Sequence, residues 1–290
     1  SWAPTGRQLP RATADILGLP APRVLAATTV VLNASSYAAF HHIADGETVT
    51  LRTALTAAPR TATWNAVGRL RGSDPTGVSE AIVLSAHLDH EGARATPDGS
   101  TTADVIYNGA DDDASGVAAV LELARALVEG GAPRRTVVFA FFGSEEAGGY
   151  GSRYFADRPV VPLTDIVANL QVEMIGRPDP LVPAGTLWLT GFERSSLGPW
   201  LAGRGAPLVK DPHPAQRFFE RSDNIQFARR GVVAHTISSY GLHREYHQPS
   251  DELRHINIAH MRDAIIALIG PVRALADSLD RPAWLPGLQP

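Results

Sequence analysis

Apolar and polar positions follow no sustained period over the first 45 residues, and the pattern sharpens from residue 46. "ETVTLRTAL" and "TWNAVGRLRG" alternate apolar with polar, the period of half-buried antiparallel strands. "EAIVLSAHLDH" opens as a continuous apolar run and predicts a buried strand ending near Ala86. "SGVAAVLELARALVEGG" follows at helical period. Val117, Val120, Leu121, Ala124 and Leu127 would share its face, and Gly130 and Gly131 would stop it. "RTVVFAFFGS" and "DIVANLQVEMIG" predict two further buried strands. "SDNIQFARRG" predicts a helix, "VVAHTISS" a strand, and "IAHMRDAIIALIGPVRALADSL" a closing amphipathic helix. Strands alternating with helices predict an α/β fold, a mostly parallel sheet with helices on both faces. The expected organisation is an arm or remnant segment over 1–45, a main domain over 46–280 and a tail over 281–290, with the Pro-rich stretch from Pro282 to Pro290 as a surface strap.

Composition narrows the chemistry. Hydrophobic residues make up 44% of 290, enough for a sizeable core. A net charge of −4 argues against nucleic acid and anionic membranes as partners. No apolar run reaches the length of a membrane span. The absence of cysteine excludes disulfides, thiolate metal sites and cysteine nucleophiles. Lys210 is the one lysine among 26 basic residues, a compositional bias and not a functional basic patch. The chain opens on "SWAPTGRQLP", without Met or an apolar leader; the expectation is a removed signal peptide and a secreted or periplasmic monomer.

Candidate chemistry gathers where the predicted strands end. Glu145 and Glu146 stand side by side after an apolar strand, where repulsion and burial both oppose two negative charges. A nearby cation would remove that cost. His87 and Asp89 end one strand, Glu173 ends another, Asp111, Asp112 and Asp113 open a helix, and a later loop carries His247 and Asp251. In an open α/β sheet ligands bind beyond the carboxyl ends of the strands. Carboxylates and imidazoles without thiolates suit Zn, Mn or Co. Singly, each motif has an ordinary reading: surface or core hydrogen bonding for H-x-D, helix capping for the three Asp, a solvated face for the Glu pair. The remaining histidines, His41, His42, His90, His213, His243, His255 and His260, read as surface or structural residues. The ordered set is much harder to obtain by accident.

The succession H-x-D, D-D-x-A-S-G, E-E, E-M-I-G and Y-H-Q-x-x-D resembles the M28 family of zinc metallopeptidases, the co-catalytic aminopeptidases. "RLRGSDP", "SAHLDH", "YNGADDDASG", "FFGSEEAGGYGS" and "RSDN" carry the likeness over roughly residues 60–275. The resemblance implies a three-layer α/β/α sandwich with a mixed, mostly parallel central sheet, of the zinc aminopeptidase or phosphorylase-hydrolase-like kind, and makes 46–280 the catalytic domain. It implies two divalent ions, expected to be Zn2+: one held by His87 and Glu173, the other by Glu146 and His247, with Asp112 bridging. It also implies a cis peptide between Asp112 and Asp113, with Asp113 beside the ligands. Glu145 would be general base and acid, and Asp89 would accept a hydrogen bond from His87. Tyr246 would approach the substrate carbonyl. Glu173 stands where the family often has Asp, and Asn224 where His is common. Residues 1–45 do not match the catalytic core.

The implied function is hydrolysis of peptides from a free N-terminus by a two-metal-activated water. The alternatives are a glutaminyl cyclase with one catalytic zinc, a carboxypeptidase-type relative with Arg221 for the substrate carboxylate, and an inactive peptidase-like binding domain. No Ser lies in G-x-S-x-G, which disfavours a serine hydrolase. Phe218, Phe219 and Tyr240 are candidates for an apolar substrate pocket.

Overall fold

The alternation of apolar positions is realised in one sheet of a computed structural model that describes residues 37–38, 40–44, 46–48, 61–74, 80–94 and 103–290. Most of the expected arm, nearly all of the "ETVTLRTAL" strand and the middle of the loop from Glu91 to Asn108 lie outside the described residues. The chain divides into two compact units, Ser1–Thr61 and Ala62–Pro290. In the first, the rings of Tyr37, His41 and His42 lie against one another in succession. All elements named below belong to the second.

Seven strands form the sheet in the order β1-β5-β2-β6-β9-β7-β8. They are β1 (Ala66–Leu70), β2 (Ala81–His87), β5 (Thr136–Phe142), β6 (Ile166–Val172), β7 (Leu187–Leu189), β8 (Leu208–Lys210) and β9 (Ala234–Ser238). A separate two-stranded ribbon pairs β3 (Gly92–Ala93) with β4 (Ile106–Tyr107). The pairs β2/β5, β2/β6, β6/β9 and β7/β8 are parallel, and β1/β5 and β7/β9 antiparallel. Among the described residues of this unit, five α-helices accompany the strands: α1 (Gly116–Glu129), α2 (Tyr150–Asp157), α3 (Leu197–Ala202), α4 (Asn224–Ala228) and α5 (Ile258–Asp277).

Period-two alternation sends successive strand residues into two cores. Ile82, Leu84 and Ala86 of β2 pack with Leu123 and Leu127 of α1 and with Leu268, Val272 and Leu275 of α5. Ala81 and Val83 face the other way, toward Phe155 of α2 and Ile225 and Phe227 of α4. Helices therefore cover both faces of the sheet. The face of α1 differs from expectation at Leu121, which is 55% exposed, while Ala119 and Leu123 are buried beside Val120 and Leu127. The C-terminal stretch is tied down as Leu285 donates its N–H to the Arg194 carbonyl and Trp284 packs on Phe219 and His235.

Because β2, β5 and β6 run parallel, their carboxyl ends reach one edge of the sheet. His87 closes β2, Glu145 and Glu146 follow β5, and Glu173 follows β6.

Candidate metal centre and substrate pocket

A turn over Ala110–Ser115 delivers the aspartates, with Asp112 and Asp113 outside helical backbone geometry and a cis peptide between them. Three carboxylates fix this turn by accepting backbone N–H groups. Asp251 accepts from Asp111 at 3.0 Å and Asp112 at 3.1 Å. Asp113 accepts from His87 at 3.1 Å, Gly116 at 3.0 Å and Met174 at 3.1 Å, which ties the ends of β2 and β6 to the start of α1. Asp111 accepts from Gly176 at 2.8 Å and has His243 Nε2 at 3.0 Å. Asp112 is left with its carboxylate facing the cluster.

Its two oxygens are addressed by different imidazoles: His87 Nε2 lies 3.0 Å from Oδ1, and His247 Nε2 lies 3.2 Å from Oδ2. His247 Nε2 is also 3.2 Å from Glu146 Oε2. The Glu173 carboxylate accepts a short hydrogen bond from the Ser222 hydroxyl and groups with His87 and Asp112. Ser144, Met174 and His247 have φ of 60°, 53° and 54° without being glycine, so left-handed backbone marks the site beside Glu145, beside Glu173 and at His247 itself.

Two expectations change. His87 Nδ1 bonds to the Asp89 backbone carbonyl at 2.9 Å, and the Asp89 carboxylate is 3.9 Å away. That carboxylate accepts the N–H groups of Glu145 and Glu146 instead. Phe219 is not in the pocket: it is buried with His235 and Trp284, because adjacent residues of a tight turn point to opposite sides. Two residues absent from the expected site join it. His90 Nδ1 lies 2.8 Å from Glu146 Oε1, and Glu91 Oε1 lies 3.2 Å from His247 Nδ1. The one sequence signal for them was their place directly after H-x-D.

Charge in this cluster is poorly balanced by protein groups alone. Burial first, then repulsion from Asp112 and Asp223, pushes Glu173 up to about 7 against the pull of His87 and Ser222. Burial, with Glu173, Asp223 and Glu146, raises Glu145 well above the carboxylate range. Burial also opposes ionisation of Asp112, yet the His247 and His87 imidazoles beside its two oxygens hold its pKa far below normal. Glu146 Oε1, His247 Nε2 and both nitrogens of His90 are buried without a hydrogen-bond partner. Crowded carboxylates beside orphaned imidazole nitrogens suit divalent cations, and oxygen and nitrogen donors without sulfur fit zinc. Three groups have donor atoms close enough to share an ion: His87–Asp112–Glu173, His90–Asp112–Glu146 and Glu91–Glu146–His247.

A pocket opens beside Glu145, Glu146, Asp112 and Glu173. Met174, Trp188, Phe218, Tyr240 and Tyr246 line it, with Arg221 at hand. Trp188 stacks on Phe218 at 5.4 Å, and Tyr240 lies 5.0 Å from Tyr246, ring to ring. Asp179 holds the Trp188 indole N–H at 3.0 Å and faces His213 Nε2 at 2.7 Å.

A helix-covered mixed sheet with acids and imidazoles at its carboxyl edge defines an α/β protein of metallohydrolase type. The model of peptidase family M28 matches residues 65–269, and the chain belongs to that family. Leupeptin-inactivating enzyme 1 of Streptomyces exfoliatus is 34% identical over 232 residues, covering 74% of this chain and 48% of that protein. The chain spans half or less of the length of the curated relatives it matches. Among solved structures, an aminopeptidase from Aneurinibacillus sp. strain AM-1 superposes with a TM-score of 0.56 at 23% identity, covering 75% of this chain and 49% of that one. Glutaminyl cyclase from Porphyromonas gingivalis superposes with a TM-score of 0.52 at 19% identity, covering 73% and 77%. At these identities the structural likenesses speak for the fold. No helix among the described residues is long and apolar enough to cross a membrane.

Proposed function

We propose that the chain is a metal-dependent aminopeptidase that removes N-terminal residues from peptides. The observation that carries this reading is the approach of His87 and His247 to opposite oxygens of Asp112, which suits a carboxylate shared by two ions. In this reading His87 and Glu173 hold one ion, Glu146 and His247 the other, and Asp112 lies between them. The ions, when bound, supply Lewis acidity toward the scissile carbonyl and the attacking water. Glu145 takes the proton from that water and passes it to the leaving amine. Its position supports this: Asp89 fixes its backbone at 2.9 Å, and its side chain lines the pocket. The free α-amine of the substrate meets Glu173 and Glu145, and the aromatic wall receives the first side chain. Tyr246, whose hydroxyl accepts from Arg221 at 3.4 Å, stands where it can donate to the substrate carbonyl.

The test is turnover of aminoacyl-nitroanilides and of their N-acetyl counterparts, with metal analysis of the same sample. Free-amine substrates should be cleaved, acetylated ones spared, and a chelator should abolish activity. Equal rates on both would overturn the aminopeptidase reading. Full function with one ion per chain would move the assignment to glutaminyl cyclase chemistry.

A further inference from the structure

His90 follows Asp89 on the chain and turns inward beside the acids. Its side chain is 7% exposed, yet neither ring nitrogen has a hydrogen-bond partner. A buried polar group left unpaired costs about 1–3 kcal/mol, and folded proteins rarely leave one so. Nδ1 stands 2.8 Å from Glu146 Oε1, which is itself unpartnered. Two polar atoms this close, each unsatisfied, are near enough to bond but not aligned for it. Donors converging on a third centre meet in this way. In a tetrahedral site with bonds of about 2.0–2.1 Å, the donor atoms stand about 3.3 Å from one another. The separations here fall on both sides of that value: His90 Nδ1 is 2.8 Å from Glu146 Oε1 and 3.9 Å from Asp112 Oδ2, and His247 Nε2 is 3.2 Å from both Asp112 Oδ2 and Glu146 Oε2.

The ring is also held in place. A Cβ built on Gly109 would fall 2.7 Å from His90 Cγ, so the backbone leading into the aspartate turn lies directly against the imidazole. The His247 ring meets it edge-on, 5.6 Å away. A packing role alone would be served equally well by an apolar ring and would leave both nitrogens buried and idle.

We propose that His90 is an additional metal ligand, donating through Nδ1 to the ion on the Glu146–His247 side of the centre. This rests on the metallopeptidase reading above. That ion then has two imidazoles, from His90 and His247, with the carboxylates of Glu146 and Asp112. The His87–Glu173 side has one imidazole and shares Asp112. The centre is therefore unequal: the His90 side is closed by protein donors, and the His87 side keeps its open position for substrate and water.

The experiment titrates metal-free wild type, His90→Ala and His90→Phe with Zn2+ against a competing chelator. His90→Phe keeps a flat ring against Gly109 and removes both nitrogens. The expected result is a loss of affinity for one ion in both variants larger than the roughly 10–100-fold that removal of an outer hydrogen-bond partner costs, with the other ion within about twofold. Affinity restored by Phe, or unchanged in Ala, overturns the proposal while leaving the two-ion reading intact. Wild type that binds no metal overturns both. If neither variant folds, cobalt-loaded wild type decides: a third hyperfine-shifted imidazole N–H, beyond those of His87 and His247, supports ligation, and its absence rejects it.

Discussion

The Asp89 carboxylate accepts the backbone N–H of Glu145 at 2.9 Å through Oδ1, and that of Glu146 at 3.2 Å through Oδ2. One side chain from the end of β2 thereby fixes the peptide that carries both glutamates after β5. Asp89→Asn keeps the volume but offers one acceptor, and its amide N–H2 faces the second donor. A stability loss of about 1–3 kcal/mol is expected from the unpaired group. Turnover should fall by at least about tenfold, because Glu145 loses its setting. On the proposed two-ion reading, metal content should not change. The check is urea unfolding together with kcat and metal content; a variant with wild-type turnover would remove Asp89 from this role.

Glu91 reaches His247 from behind. Its Oε1 lies 3.2 Å from Nδ1, the nitrogen opposite the one that faces Asp112. Carboxylates in that position fix a ligand's tautomer and raise its basicity, and losing one costs about 10–100-fold in metal affinity. Glu91→Gln should show that loss in a chelator competition. Arg94 pairs with Glu91 at the surface and should matter less, so Arg94→Ala serves as the control. Equal effects of the two changes would mean that the loop as a whole, and not the carboxylate, supports His247.

What could be read from the sequence follows from the physics of each signal. β2, β5 and β6 are continuous apolar runs buried on both faces, and such runs stand out. β7 and β8 have three residues each, too few for any period to register. In α1 an Ala-rich surface leaves the phase of the buried stripe ambiguous, so the sequence reads Leu121 inward although it is exposed. Phe218 and Phe219 differ by one position in a tight turn, and only the turn geometry decides that Phe218 meets the pocket. The candidate ligands stand out through the resemblance and their shared place at strand ends. His90 and Glu91 stand directly after the same motif without a role implied by the resemblance, because their place depends on how a turn folds back over Glu146 and His247.

His235 sets an acid limit on the metal-independent fold. Its Nδ1 faces the Thr190 carbonyl at 2.7 Å, so it must carry the proton, and Nε2 then accepts from Ser195 at 2.7 Å. Burial first, and Arg194 after it, push its pKa down to about 4 against the pull of the Thr190 carbonyl. The folded value lies below the unfolded one. The contribution is therefore complete above about pH 6.5 and is lost as the pH falls through about 4, amounting to roughly 3 kcal/mol. Unfolding of metal-free protein at pH 7 and pH 4.5 should show that loss, and His235→Gln should flatten it. An unchanged pH slope in the variant would assign the acid sensitivity elsewhere.

Glu145 and Glu146 are neighbours with different surroundings. Glu146 has His247 at 3.2 Å and His90 at 2.8 Å, and although burial opposes its charge, these two hold its pKa below normal. Glu145 has carboxylates for neighbours, and burial with their repulsion raises its pKa. A group shaped to stay ionised suits a cation, and one poised to hold a proton suits proton transfer. On the proposed roles, Glu145→Gln should keep both ions and the fold, since the amide has the same size. It cannot take a proton from water, so kcat should fall by about 10²–10⁴-fold while KM changes little. Glu146→Gln should lose an ion as well as activity. Metal content and turnover measured on both variants decide between them: if Glu145→Gln sheds an ion while Glu146→Gln keeps both, the two roles are reversed.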